Sequence, residues 1–545
     1  MSRYRLSLIA SAVLLAHGAA NAYTFETDSG VQGSFDSTIT VGTGIRAKDQ
    51  SPSLIQAGNT GGPAGTLAPG AGLGDQGDLN YRKGQAFTTY LKGAQEVVLK
   101  PSEDLHMMAR WTWLEDVSAT HTSGEQSVDL PPNMPANNLT SEAQKVMRFQ
   151  ARLLDLWVSK SFDLGEQRAR LRVGNQVISW GESLFIPGGI NAANALDINR
   201  LSQPGTQLKE AVLPAPMASL ATGLGHGLNF EGFVQATWNA NFFPPTGGYW
   251  STTDGLGSGH QTYGLATVTP KNGGQWGLSL RYQPEGTQLN LGLYAMNYHD
   301  KAPQFSTNIN GTGVTGWTYP ENRKMLGVSA NFPVGDWAVG TELSYRPHDA
   351  VALNSAVDGC ANNAGNCWVD QKRYQWHLTG LYSQTPSNSK GMLDFLGADT
   401  GTLLAEAVVI HYPNLQQSYN GELVSAGGYA WGQSSSSSGA PVAVGTKTSS
   451  GINFDYSWVY DGKLIPGWQV VPEVYYFRAM SGRTPNTAAT FMQGASSINL
   501  IVSFIQNPAT WQFGVNYAAF WGGKSVFDQP LRDRNFVGLY ASRNF

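Results

Sequence analysis

The sequence predicts an all-β protein, a transmembrane antiparallel β-barrel of about 18 strands (16–18 expected), with an ordered, partly helical insert in or over its lumen. Three observations predict it. Segments of about 10 residues alternate apolar and mixed side chains, the weak dyad pattern of strands between lipid and a polar interior. Short connections alternate with long ones. Only 14% of residues are charged, whereas 64 are Gly, 22 Tyr, 22 Phe and 16 Trp, a balance that suits a large β protein better than an α/β enzyme.

At the N-terminus, Arg3 and Arg5 precede the apolar run Leu6 to Ala16, and Ala20, Asn21 and Ala22 fit a small-residue cleavage site. Residues 1–22 are therefore expected to be a signal peptide and 23–545 the mature barrel. Removing two arginines leaves 33 basic against 39 acidic residues, a net charge of −6, which excludes a polybasic nucleic-acid binder. No later stretch reaches the roughly 18 apolar residues of a membrane helix.

The alternation is plain in 228–239, where Leu228, Phe230, Val234 and Trp238 interleave with Asn229, Glu231, Gln235 and Asn239. It recurs in 289–299 and 467–479. A soluble β-sandwich would alternate in the same way, so periodicity alone does not decide. Loop lengths do. Short turns at 163–167, 225–227, 284–288, 335–337 and 507–510 alternate with long segments near 48–82, 117–144, 181–216, 240–273, 300–321, 347–371, 414–450, 480–495 and 522–534. Outer-membrane barrels sort short periplasmic turns from long external loops, and a sandwich has no reason to. Trp180, Trp238, Tyr298, Tyr460, Trp468, Trp511 and Trp521 fall at strand ends, as interfacial girdles would.

The candidate strands lie near 33–47, 83–99, 104–116, 145–162, 168–180, 217–224, 228–239, 274–283 and 289–299. They continue near 322–333, 337–346, 372–384, 401–413, 451–460, 467–479, 496–506, 511–521 and 535–545. Segments 261–270 and 421–431 are loop extensions or further strands, and the run Ser434 to Ser438 is low-complexity. Cys360 and Cys367, in DGCANNAGNCW, are expected to form a disulfide in an external loop, since zinc would need ligands the segment lacks. Phe545, after Val537, Leu539 and Ala541 at alternating positions, resembles the terminal signal read by the outer-membrane assembly machinery, with Arg543 departing from it.

The segment 181–216 lacks alternation and is too long for a hairpin. Asn191 to Leu201 is expected to be a short helix capped by Asn191 or Asn194, and Gln207 to Leu213 a second helical turn. Its Asp197, Arg200, Lys209 and Glu210 can pair with the barrel wall. A charge facing lipid at mid-bilayer costs ~2–4 kcal/mol, so strand charges are assigned to the lumen: Lys92, Glu96, Arg110, Arg148, Arg152, Asp155, Arg168, Arg170, Arg172 and Glu231. In strand 145–162 the phase slips at Leu153 and Leu154, a bulge that leaves Leu154, Leu156 and Val158 toward lipid. These charges either anchor the insert as a structural ladder or form a selectivity filter for anionic or amphipathic solutes.

The run LLDLWVSKSFDLGEQRARLRVGNQVISWGESLFIPGGINAANALDINRLSQPGTQLKEAVLPAPM resembles the signature of the DUF1302 family, with further likeness in GSFDSTITVGTGIR, FFPPTGGYWSTTDGLG and the last strand. Two positions depart from that signature: Asn175 replaces an arginine, and Ser202 and Gln203 replace basic residues. The resemblance implies a Gram-negative outer-membrane protein working beside a periplasmic DUF1329-type protein and an RND-type exporter, moving hydrophobic compounds across the envelope.

No G-x-S-x-G, H-E-x-x-H or phosphate-binding loop is present, and no cofactor or metal is expected, although a loop carboxylate such as Asp254 could hold calcium. The expected function is an outer-membrane channel or transporter for small hydrophobic or amphipathic molecules, narrowed by the insert. The alternatives are a plugged docking component for a periplasmic carrier and a surface hydrolase, for which Ser183 is the serine to test.

Overall fold

A computed structural model describes residues 23–545 except 52–53, 55–74, 127–129, 132, 355–358, 427–442 and 526–527. The expected signal peptide and the Ser434 to Ser438 run lie outside the described residues. The barrel strands begin with β1 (Gln32–Arg46), β2 (Ala86–Ser102), β3 (Leu105–Asp116), β4 (Phe149–Leu164), β5 (Gln167–Gln176) and β6 (Ala215–Gly225). Next come β7 (Leu228–Gln235), β8 (Gln275–Tyr282), β9 (Asn290–Tyr298), β10 (Arg323–Val334), β11 (Trp337–Ala352) and β12 (Trp368–Gln384). The last six are β13 (Thr400–His411), β14 (Thr448–Asp461), β15 (Trp468–Ser481), β16 (Ala495–Gln506), β17 (Trp511–Gly522) and β18 (Phe536–Asn544).

Each strand pairs antiparallel with the next, and β18 returns to β1 with Val41 opposite Ala541, which closes the barrel at 18 strands. A short strand, Tyr23–Glu26, pairs with the foot of β1 below the point where β18 ends. There Phe545 exchanges main-chain hydrogen bonds with Ser37. Arg543 lies between the rings of Trp511 and Phe545, 5.2 and 4.8 Å from their centroids, so it is held at the rim by cation–π contact.

Side-chain parity separates two surfaces. Leu153, Leu156, Leu171, Val173, Leu293, Leu326, Trp376, Leu378 and Leu539 stand exposed on the outer face, an apolar belt that only lipid can cover. Closed pairing leaves no sheet edge inside that belt, which satisfies the backbone without water. The barrel is therefore an outer-membrane barrel. Trp337 stacks on Tyr382, Tyr456 packs on Trp458, and Trp468 on Phe513, which forms a girdle at the short-turn rim. Trp180 and Tyr298, expected in the girdles, are instead buried at 2% and 7% exposure in a cluster with Met217, Phe233, Tyr294 and Met325.

Four local expectations are corrected. Residues Ser141–Arg148 form a helix, so strand β4 starts only at Phe149 and Arg148 sits at the end of that helix, with Nε donating to the Thr120 hydroxyl at 3.5 Å, not on a barrel strand. The Thr140 hydroxyl caps that helix by accepting from the Ala143 N–H at 3.1 Å, and Ala143 and Met147, four apart, bury one face. The bulge on β4 is present opposite Arg110, but Leu154 turns inward and is 1% exposed. Strand β5 stops at Gln176. Of the two alternatives open for 261–270 and 421–431, the loop extension holds for their described strands: residues 266–268 and 422–423 belong to small sheets within external loops. The connection from β12 to β13 breaks the short-turn rule, since it carries a helix, Lys390–Leu396.

Cys360 and Cys367 are joined by a disulfide, with Cα atoms 5.4 Å apart, in the external connection after β11. Both are buried, at 0% and 2% exposure, against Val351, Leu353 and Phe491. A membrane-impermeant reductant should leave the bridge intact in folded protein and cleave it after denaturation; thiol titration checks this, and free thiols in folded, reductant-treated protein would contradict it.

The first and last external connections are tied by a buried charge knot. Arg46 pairs with Asp78 and Asp533, and Arg534 with Asp75, all at 3% side-chain exposure or less. Three carboxylates share two guanidiniums, so one is in excess. Burial, with the neighbouring carboxylates, pushes Asp75 up to about 7 and Asp533 up to about 6 against the pull of the arginines. A carboxyl raised in the fold contributes stability that is complete below its ordinary range near 4 and is lost as pH rises through about 6 to 7. Amide protection in the helix Gln76–Asn80 should therefore be greater at pH 5 than at pH 8, once intrinsic exchange is corrected, and Asp75→Asn should flatten that dependence.

Candidate functional site

Between β5 and β6 the chain enters the barrel and crosses it. Ile178, Trp180, Ile190 and Ala193 pack on the inner faces of β6 to β10 through Met217, Phe233, Tyr294 and Met325. The Trp180 indole N–H donates to Glu231 at 2.9 Å, which accounts for that lumenal carboxylate.

The far wall grips the insert by its main chain. Glu342 on β11 accepts the N–H groups of Glu182, Ser183 and Ile190 at 2.5, 3.2 and 2.8 Å. Glu406 on β13 accepts those of Leu184, Phe185 and Ile186 at 3.2, 2.7 and 2.8 Å. Between them, His377 on β12 donates from Nδ1 to Glu406 at 2.7 Å, and its Nε2 accepts from the Gln375 amide at 2.8 Å. That amide also reaches the Pro187 carbonyl, and the Arg346 guanidinium donates to the Gly189 carbonyl at 2.7 Å. Glu342, Glu406 and His377 are almost completely buried. Glycines make the approach feasible: a Cβ on Gly181 or Gly189 would overlap the Glu342 carboxylate, and Gly181 also has φ +86°.

The chain then returns to the opposite wall. Asn194 exchanges hydrogen bonds with Ile178, and Ala195–Leu196 pairs with Val212–Leu213 as a small ribbon. The expected helix from Asn191 is only one turn, Ile198–Leu201, capped by Asp197, whose Oδ1 accepts the Arg200 N–H at 2.7 Å. The second turn, Leu208–Ala211, carries a capping box between Gln207 and Glu210. Its Glu210 carboxylate takes both oxygens to the Lys92 ammonium at 2.9 Å, and Lys92 also donates to the Gly205 carbonyl at 2.8 Å. Asp197 pairs with Arg152 on β4, whose guanidinium lies 4.5 Å over the Phe242 ring. Pro204 and Gly205 rest on Gly538 and Tyr540 of β18, and the Tyr90 hydroxyl donates to the Pro204 carbonyl.

The remaining wall charges do other things. Arg110 bridges Glu96 and Asp155 at 2.9 Å each, within the wall. Arg172 stacks on Trp157 at 4.1 Å. Arg170 is exposed beside it, and Arg168 pairs with Asp104 and Asp163 at the short-turn rim. Arg200 is buried near Gln150, whereas Lys209 is exposed. Thus, of the wall cations singled out in the sequence, Lys92 and Arg152 hold the insert's carboxylates, and the Arg168 to Arg172 ladder does not. Ser183, the candidate hydrolase serine, offers its main-chain N–H to Glu342. Asp254 is buried and accepts the Gln76 N–H, and among the described residues no cluster of metal-ligand type occurs.

Below the clamps, toward the short-turn rim, lies a cavity of about 490 Å³. Leu184, Pro333, Ala338, Gly340 and Leu381 line it, with Glu182 at its edge accepting from Asn331 at 2.9 Å.

Among solved structures, Acinetobacter baumannii OccAB1 is similar at 11% identity, TM-score 0.43, over 96% of this chain and 98% of that one. Pseudomonas aeruginosa OccK9 (OpdG) is similar at 11% identity, TM-score 0.41, over 94% and 98%. The outer membrane protein opdK from Pseudomonas aeruginosa is similar at 9% identity, TM-score 0.41, over 94% and 98%. No curated protein matches the sequence significantly. The family described as "Protein of unknown function (DUF1302)" matches residues 3–545, nearly the whole length, and the chain belongs to that family.

Proposed function

We propose that the protein is a narrow outer-membrane channel for small amphipathic or hydrophobic molecules, with the insert 181–216 as its constriction. The observation that carries this reading is the cavity against the clamped insert. Its size lies in the ~300–1,000 Å³ range of small-molecule sites, and its wall is amphipathic, with Leu184, Phe332, Pro333, Ala338 and Leu381 beside Ser183, Gln288, Asn331, Thr379 and the carboxylate-bearing Glu182. The charges on either side support the same reading. Both walls carry both signs, with cations in excess on β2 to β5 (Lys92, Arg110, Arg152, Arg170 and Arg172 beside Glu96, Asp116 and Asp155) and carboxylates in excess on β11 to β15 (Glu342, Glu406, Asp455 and Glu473 beside Arg346 and Arg373). A lumen with a cationic excess on one wall and an anionic excess on the other orients a solute that has one charged end.

Planar-bilayer recordings test this. Purified protein should give small discrete steps that octanoate reduces, and Leu184→Trp, which fills the cavity, should lower both the step and the octanoate effect. A second reading, a sealed component that docks a periplasmic carrier, draws on the loops that bury Trp317, Tyr412 and Phe491 over the external mouth. In that case a DUF1329-type protein and an RND-type exporter would be its partners. Absence of conductance both in the native protein and after release of the insert would favour that reading over the channel.

A further inference from the structure

The β12–β13 connection stands apart from the other short-turn connections because it folds into the helix Lys390–Leu396. Where that helix lies follows from its tethers. Tyr382 and Ser389 hydroxyls meet at 2.9 Å at its start, and the Tyr460 hydroxyl donates to the Leu396 carbonyl at 2.8 Å at its end. Both tyrosines are on the lipid side: Tyr382 shares the face of exposed Trp376 and Leu378 and stacks on Trp337, while inward His377 has the opposite parity. Tyr460 shares its face with Tyr456 and Trp458, opposite to buried Asn453. The helix is therefore hung from the outer girdle, not placed beneath the pore.

Its amphipathic faces are placed accordingly. Leu393 is buried at 2% exposure, whereas Phe395 and Met392 stand out at 85% and 50%. The neighbouring turn between β14 and β15 adds Leu464 and Ile465, at 59% and 39%. The two turns are knitted by Lys463 to Asp399 at 2.7 Å and by the Asp461 N–H to Asp399 at 2.8 Å. Two linked turns thus expose apolar side chains at the short-turn rim, tethered to the lipid-facing tyrosines Tyr382 and Tyr460 and edged by the exposed Lys390.

We propose that this patch is a membrane anchor that docks on the periplasmic leaflet, with Met392 and Phe395 among the acyl-chain ends and the lysines at phosphate level. Attachment at both ends to tyrosines of the lipid-facing girdle selects phospholipid over a protein as its occupant. Aromatic and long apolar side chains gain most at this depth, and lysine stems can lie along the apolar surface with their ammonium groups in the headgroups. The anchor would fix the depth of β12 to β14, the strands that carry His377 and Glu406, relative to the bilayer.

The test uses the full chain in phosphatidylethanolamine/phosphatidylglycerol nanodiscs. Because both native cysteines are in the disulfide, a single nitroxide can be placed by Met392→Cys or Phe395→Cys, with Leu378→Cys as the lipid-side control and Val314→Cys as the external-loop control. Labels at 392 and 395 should show the high-oxygen, low-nickel-chelate accessibility of the Leu378 control. Accessibility like that of the Val314 control would overturn the proposal and leave the patch to a protein partner.

Discussion

Lys92→Met should be among the most damaging single substitutions in the barrel. It leaves the Glu210 carboxylate, 4% exposed, without its cation, and removing one partner of a buried ion pair costs about 3–5 kcal/mol. The loss falls on the second turn of the insert, which should detach from β2. The midpoint of heat- or urea-induced mobility change on gels should drop, and conductance should become noisy as the segment samples open positions. The double variant Lys92→Met with Glu210→Gln should recover most of the midpoint, because the stranded charge is gone. A single variant that unfolds like the native protein would show that the pair does not hold the insert. Arg152→Ala should act in the same direction through Asp197, and Arg172→Ala should leave the insert in place, since its guanidinium stacks on Trp157.

Removing both clamps, as Glu342→Ala with Glu406→Ala, should have the largest effect on permeation. Six main-chain N–H groups lose their acceptors, and a buried unsatisfied donor costs about 1–3 kcal/mol. That total exceeds what the packing of Ile186 and Ile190 can hold in one position. Residues 182–190 should leave the far wall, single-channel conductance should rise several-fold, and protease should cut within the insert. Glu342→Gln keeps one acceptor oxygen and should fall between. Native conductance together with native protease resistance in the double variant would refute the clamp.

The barrel was legible because lipid enforces parity. Strand after strand obeys an alternation that Leu291, Leu293 and Ala295 already display, and the sorting of connections by length is a property of the architecture. The same parity was enough to find Glu342, His377 and Glu406, because a charge within 337–346, 372–384 or 401–413 must also face inward. They stand singly among neutral residues, whereas β4 and β5 concentrate arginines and so give the stronger charge signal. Which cation would meet which carboxylate was not readable, since the insert's path depends on long-range register. Chain proximity points to the arginines of β4 and β5, and Asp197 does pair with Arg152, yet Glu210 reaches Lys92, 118 positions earlier in the chain. The helix at 141–148 was hidden for a local reason: alternation and i,i+4 spacing coexist there, and the Thr140 cap decides between them.

The far-wall grip reads main-chain groups, the amide hydrogens and the carbonyls of Pro187 and Gly189, so it is indifferent to most side chains it holds. Apart from the glycines pressed against Glu342, positions such as Glu182, Ser183 and Leu184 can be exchanged without loosening the lock. Anchorage and selectivity are thereby written on different parts of the same ten residues. In the channel proposed above, a few substitutions at those positions would retune the barrel to a new solute, with the insert still fastened in place.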